Sequence, residues 1–261
     1  MLASAAALPL ATACSARHAS PPVTVRDSDA LAILDSVANN LLNLVPDQAT
    51  SLGIDVGPRA GLRSQLTDRS ATGQRRIAEQ LRTDLARLNA FDTSGLSFAT
   101  RTSFEVVRSA YATSLEGFAL PYGDITVGGW RNTPYVVIQN VGAYLDIPRY
   151  LDSDHPIENA TDAEAYLARM QSYGKQLDGE LGRIQEARRI GLVPPAFLID
   201  KALRQMNLSV QNAREGGSLV ESIERRTKNI PGDWAGRARK IAAQEIAPAL
   251  ERQIRELEAE R

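Results

Sequence analysis

Two histidines, His18 and His155, and one cysteine, Cys14, are the only imidazole and thiol groups in a chain of 261 residues. Zinc sites take three or four His, Cys or carboxylate ligands with at least one tightly spaced pair. Those three residues do not supply such a set, and a lone cysteine excludes an intramolecular disulfide. Carboxylates stand close together at Asp152 with Asp154 and at Glu256 with Glu258, spacings that metal binding or acid–base chemistry could use. No second cluster of ligands accompanies them, so solvated loop and helix faces account for both. Ser114 and the other serines lack a Gly-x-Ser-x-Gly setting, which argues against a serine hydrolase. Gly128-Gly129 is not followed by Gly-Lys-Ser/Thr, so it reads as a turn and not as a phosphate loop. The sequence therefore assigns no catalytic residue and no metal ligand to this chain.

Four residues remain as candidates for a substrate cleft. Arg131, Tyr135 and Arg169 are types that anchor a peptide carboxylate or backbone, and His155 lies beside Pro156 between two helices. Packing and surface ion pairing explain the first three equally well, and a loop or capping role explains the histidine. Thirty Lys plus Arg oppose thirty-one Asp plus Glu, for a net charge of −1. No global basic field exists for nucleic acid or an anionic membrane.

Nearly all the positioning elements read as helices. Leu31, Leu34, Val37, Leu41 and Leu42 recur at three- and four-residue steps after an N-cap at Asp27 or Ser28, with Pro46 as the stop. A polar stretch through Gly53, Gly57 and Gly61 leads to a second helix that opens at Thr67 or Asp68 and carries Ile77, Leu81, Leu85 and Leu88. A third runs from about Ser97 to Leu120 and ends at Pro121. Residues 122–140 hold β-branched and aromatic runs around glycines, so a short extended or hairpin segment is expected there. Thr161 to Glu164 is a capping box opening a long helix that closes at Gly191. Pro194-Pro195 begins the next helix, Gly216-Gly217 breaks the chain before a short one, and Pro248 kinks or divides the last. The expected fold is all-α (mainly α), an irregular multi-helix array.

Residues 1–13 are uncharged and small or apolar, with the length of a signal-peptide hydrophobic region and too short for a membrane span. Ala11-Thr12-Ala13-Cys14 is similar to a bacterial lipobox, which makes Cys14 a candidate for lipid attachment; an ordinary small-x-small cleavage site is the alternative. No Lys or Arg precedes Arg17, although signals normally open with one. Residues 14–26, with Ser20-Pro21-Pro22, form a linker, and 27–261 form the helical domain. The expected location is exported, periplasmic or envelope-anchored, with membrane contact only through a lipid.

Several spaced elements resemble the bacterial domain-of-unknown-function family 885. These are Pro46 to Gly53, Ile147 to Leu151, His155-Pro156-Ile157, Asp162 to Met170 and the Gly191 to Pro195 junction, in that order. The resemblance covers roughly 28–261 and implies an exported, mostly helical, often lipoprotein-like protein. It also implies a longer one, whose distal half carries a His-Glu pair followed by Pro-Gly-His, as in zincin-type metallopeptidases. Imidazoles there would hold zinc while the glutamate activates bound water. Here His18 precedes Ala19 and His155 precedes Pro156, so no catalytic residue carries over and no cofactor is expected in this chain, zinc belonging to full-length relatives. The charged final helix ends without a cap. The resemblance thus implies the N-terminal half of a longer domain, whose partners are the missing C-terminal half or a peptide substrate. The alternative is a stand-alone periplasmic helical module for binding or interaction.

Overall fold

The computed structural model describes residues 25–128 and 132–261. Cys14, Arg131 and residues 1–24 lie outside the described residues. Ten α-helices, one 3-10 helix and one π-helical turn make up the described secondary structure, so the fold is mainly α as expected.

α1 (Val25–Leu44), α3 (Ala71–Ala90) and α4 (Phe98–Phe118) pack as one group. Ala30 and Val37 from α1, Ile77, Leu81 and Leu88 from α3, and Phe104 and Tyr111 from α4 form their shared core. Between α1 and α3 come a short α2 (Pro46–Ser51) and a 3-10 helix at Gly57–Ser64. α1 ends at Leu44, just before Pro46 as expected, and Pro46 also starts α2. Proline has no N–H to lose at the first helical turn and its fixed φ suits that position. The glycine-rich stretch is likewise tighter than a loop. α3 opens on Ser70, whose Oγ accepts from Gly73 N at 3.1 Å, and not on Thr67 or Asp68. The Thr67 backbone N–H is taken by Asp47 Oδ1 at 3.0 Å.

The second group is built around α6 (Ala160–Arg189), thirty residues long, and hence about 45 Å at 1.5 Å per residue. α5 (Ala143–Ser153), α7 (Ala196–Glu215), α8 (Ser218–Arg226), α9 (Trp234–Ile241) and α10 (Ala247–Glu260) surround it. Tyr166, Met170, Tyr173, Leu177 and Ile184 of α6 are buried in one core with Ile199, Met206, Ile241 and Leu250. α6 is capped two residues before the expected box. Asn159 Oδ1 accepts from Asp162 N at 3.1 Å, which leaves Thr161 inside the helix, and the Glu164 carboxylate pairs with Arg237. The other end is as read: Gly191 N donates to Arg188 O and Leu192 N to Ala187 O, both at 2.9 Å, with Gly191 at φ +82°. This closing pattern satisfies carbonyls of the last turn and needs a residue at ease with positive φ.

Pro248 does divide the last helix. It cannot donate to a carbonyl four residues back, and its ring would crowd that carbonyl. The π-helical turn at Ala242–Ile246 directly before α10 widens the backbone there. Residues 122–140 hold less extended structure than their composition suggests. Among the described residues only two isolated antiparallel bridges form, Asp124 with Thr133 and Ile138 with Val141. Pro134 follows Thr133 directly and has no N–H to extend a ladder.

Two close approaches depend on glycines of α6. A Cβ on Gly179 would lie 2.9 Å from Ser70 N, at the start of α3, and one on Gly174 would lie 3.1 Å from Glu245 O, in the π turn. Gly182 of the same helix faces open space. Gly182→Ala should therefore stabilise the protein by about 0.5–1 kcal/mol through helix propensity. Gly179→Ala, with the same propensity gain, should instead lower the thermal midpoint, because the start of α3 must shift. Equal midpoints for the two variants would show that this contact does not set the α3–α6 distance.

Candidate functional site

α6 carries a second, polar stripe besides its apolar one. Asp162, Arg169, Gln176 and Arg183 recur every seven residues, two helical turns, and all are buried, as is the neighbouring Glu180. A seven-residue step keeps one face of a helix. Buried polar groups require partners, and the chain between Thr50 and Arg69 runs along this stripe to provide them.

Arg169 is the largest fully buried side chain, at 0% exposure. Its Nε donates to Gln65 O at 2.9 Å, Nη1 to His155 Nδ1 at 2.7 Å, and Nη2 to Thr50 Oγ1 at 2.7 Å and Leu62 O at 3.1 Å. The guanidinium also stacks 4.9 Å from the centroid of the Tyr150 ring. Thr50 passes its own hydroxyl proton toward Asp55 Oδ2 at 2.7 Å. Arg63 then binds Asp55 through Nε and Nη2, both at 2.9 Å, and reaches Asp162 Oδ1 through Nη1 at 2.7 Å. The Arg63 hydrogen bonds hold the Asp55 carboxyl below its ordinary range, helped by Thr50, against the opposing effect of burial.

His155 sits between α5 and α6 with 1% exposure. Its Nε2 is 3.0 Å from Asp162 O, a pure acceptor, so Nε2 carries the proton and Nδ1 presents a lone pair to Arg169. Burial pushes its pKa down to about 4, reinforced by the charges of Arg169 and Arg226 and opposed by the bond to Asp162 O. A second cluster lies farther along the stripe. Arg69 Nη1 reaches Glu180 Oε1 at 3.0 Å and Asp146 Oδ2 at 3.2 Å, and both Glu180 oxygens accept from Ala143 N, at the start of α5, at 2.9 Å. Burial raises the Glu180 pKa against the pull of Arg69. Arg183 donates to Arg69 O at 3.2 Å and Gly123 O at 2.6 Å and pairs with Asp124 at 2.8 Å.

Of the four residues selected from sequence, His155, Arg169 and Tyr135 lie among the described residues. His155 and Arg169 are brought together, but in the interior, where the atoms that would meet a substrate are spent on each other and on backbone carbonyls. Tyr135 is half-buried, and its backbone N–H donates to Thr133 Oγ1 at 3.1 Å. Arg131 lies outside the described residues, as does Cys14. The acidic pairs are also engaged: Asp152 with Arg225, Asp154 with Ser51, and Glu256 with Arg188. No group of three or more His, Cys, Asp or Glu able to hold a metal ion occurs among the described residues. No described helix is long and apolar enough to cross a membrane.

The concave feature that sequence reading missed lies at the junction of the two helical groups. A groove of about 390 Å³ opens between α3, the end of α4, residues 120–125 and α6. Phe118, Pro121, Tyr122, Ile125 and Val136 give it apolar walls, and Arg75, Glu79 and Arg82 line it from α3. Its signal in the sequence is the run Phe118 to Tyr122, apolar residues that continue past the end of a helix.

The model of a family described as bacterial protein of unknown function (DUF885) matches residues 46–261. The chain belongs to the DUF885 family. No curated protein matches it. Among solved structures it is similar to one described as the putative lipoprotein from Colwellia psychrerythraea, with a TM-score of 0.79 and 15% identity. The likeness covers 90% of this chain and 41% of that one, so this chain spans less than half of that protein's length. At that identity the likeness concerns the fold, and it establishes that the helical arrangement recurs within a larger protein.

The buried cluster gives a pH prediction for this DUF885 chain. His155 binds a proton near pH 6.5 when unfolded and near 4 when folded, so stability should fall as pH drops from 6.5 to 4 and level off below. The shift corresponds to about 3 kcal/mol. Glu180, raised in the fold, acts in the opposite sense, so the diagnostic quantity is the difference between wild type and His155→Gln. Chemical denaturation at several pH values should show a shallower acid loss in the variant; parallel curves would exclude His155 as the source. Arg169→Met should cost about 3–5 kcal/mol at neutral pH by stranding its acceptors.

Proposed function

We propose that this chain is the N-terminal helical portion of an exported DUF885 protein and forms one wall of a cleft completed by further sequence in longer relatives. The observation that carries the reading is the partial likeness: nearly the whole chain aligns with less than half of the Colwellia protein. In such relatives the activity would be zinc-dependent hydrolysis of peptides or amides. That part rests on the family resemblance and not on any residue of this chain, whose polar clusters are turned inward. The lipoprotein description of the neighbour supports export to the envelope, with Cys14 as the site of a lipid anchor.

A second reading is a stand-alone periplasmic helical module that binds a peptide or partner protein. The groove at the junction of the two helical groups favours it, since such junctions commonly hold ligands.

Three measurements test the first reading. The purified 261-residue chain should bind no stoichiometric zinc by elemental analysis and hydrolyse no peptide with or without zinc; activity from the chain alone would overturn it. Coding sequence continuing past the Arg261 codon should contain the His-Glu and Pro-Gly-His elements, and a continuation without them removes the zinc chemistry. For the anchor, Cys14→Ser should move the protein from the membrane fraction to the soluble one, and a wild type that is already soluble excludes lipidation.

A further inference from the structure

The cations of this protein divide into those that are consumed and those that are not. Arg63, Arg69, Arg169 and Arg183 are each held by two or more partners inside the polar seam. Arg75 and Arg82 are not. They stand seven residues apart on α3, about 10 Å along one helix face, and both line the groove. Arg75 has only Thr72 Oγ1, at 2.8 Å, and Arg82 makes no hydrogen bond or ion pair among the described residues. Glu79 lies between them at spacings that ordinarily close helix ion pairs, yet it pairs with neither.

The wall from Phe118 to Ile125 with Val136 is largely apolar and partly open to solvent, and α6 adds Arg183 and Glu186, ion-paired with Asp124 and Arg189. Leu120 is 48% and Tyr122 39% exposed, both at the groove, beside Phe118, Ile125 and Val136. Arg183 fixes this wall by holding Gly123 and Asp124. Gly123, at φ +93°, allows the chain to turn there, and its Cβ position is closed by Thr133 O at 2.7 Å. A half-open groove of about 390 Å³ falls in the range of small-ligand sites.

We propose that this groove binds the C-terminal end of a peptide, its carboxylate on Arg82 and Arg75 and an apolar side chain against Phe118, Tyr122, Ile125 and Val136. Two unspent guanidiniums complement a carboxylate, which Arg can take through paired N–H donors. The exposed Glu79 carboxylate between the two arginines repels a bare carboxylate but can accept a peptide N–H, which an acyl chain lacks, so it favours a peptide over a fatty acid. The site belongs to the isolated chain and goes beyond the proposed role in longer relatives, so its test is independent of zinc and of sequence past Arg261.

The probe is acetyl-Phe-Leu with a free carboxylate, titrated into the full 261-residue chain by calorimetry. The expected result is saturable binding that Arg82→Ala weakens about tenfold or more, the loss of a charge-assisted hydrogen bond. Arg76→Ala, on the same helix but outside the groove lining, should leave it unchanged. Acetyl-Phe-Leu amide should bind at least about tenfold more weakly than the acid. Equal affinities for acid and amide overturn the proposal, as do equal effects of the Arg76 and Arg82 variants or no saturable binding of the acid. Decanoate binding as tightly as the peptide overturns the assignment to peptides. Arg82 is exposed, and thermal unfolding of each variant distinguishes lost affinity from lost structure.

Discussion

A guanidinium with no access to water must find its acceptors before the chain can close over it, and the Arg169 side chain imposes that condition on much of this fold. Its acceptors come from α2 through Thr50, from the 3-10 helix through Leu62 O, from the segment after it through Gln65 O, and from the α5–α6 turn through His155. None of these elements could slide along α6 without leaving either a buried cation or a buried carbonyl unpaired, at a cost of several kcal/mol. A buried charge of this kind does not have to add net stability over an apolar core of the same volume. What it supplies here is register: one placement of residues 50–65 on α6 satisfies the donors, and misplacements do not.

The same seam explains why the protein has two apolar cores. One joins α1, α3 and α4, and the other joins α5 to α10. The segment at 62–69 crosses between them on polar contacts, with Arg63 on Asp162 and Arg69 on Glu180. Where α3 leaves the seam the groups come close, with Ser70 against Gly179. Beyond that point the walls part again and the groove opens. Its position follows from the close approach at one end of α3 and the docking of residues 123–125 by Arg183 farther along.

Most helices were legible because they obey local rules. Ser97 caps α4, Gly191 closes α6, Gly216 at φ +81° ends α7, and Pro248 marks a division in the last helical run. Errors gathered where one residue type carries two meanings. Proline signals both ends of helices, and Pro46 does both: α1 ends just before it, and the α2 that it starts was not read. Pro148 lies inside α5, a helix that the periodicity reading did not bound. Asn159 and Thr161 are both good caps two residues apart, and the hydrogen bond to Asp162 N decides for Asn159. The polar stripe is a seven-residue repeat that the sequence reading did not pick out, because local pattern cannot distinguish a charged face in water from one covered by a distant segment. Arg169 was selected for chemistry and turned out to be enclosed by residues more than a hundred positions earlier.

That distinction also decides where a ligand can act. Titratable groups with strongly displaced pKa values often mark active sites; His155 and Glu180 are displaced, and Asp55 is lowered. In each the cause is burial or a fixed structural partner, and none faces the groove. Displacement here records how tightly the seam is closed. Arg75 and Arg82 do line the groove, lie at helix spacing from the Glu79 carboxylate and form no ion pair among the described residues, beside exposed apolar side chains. In a protein that spends its interior charges so completely, the unspent ones are the better guide to binding.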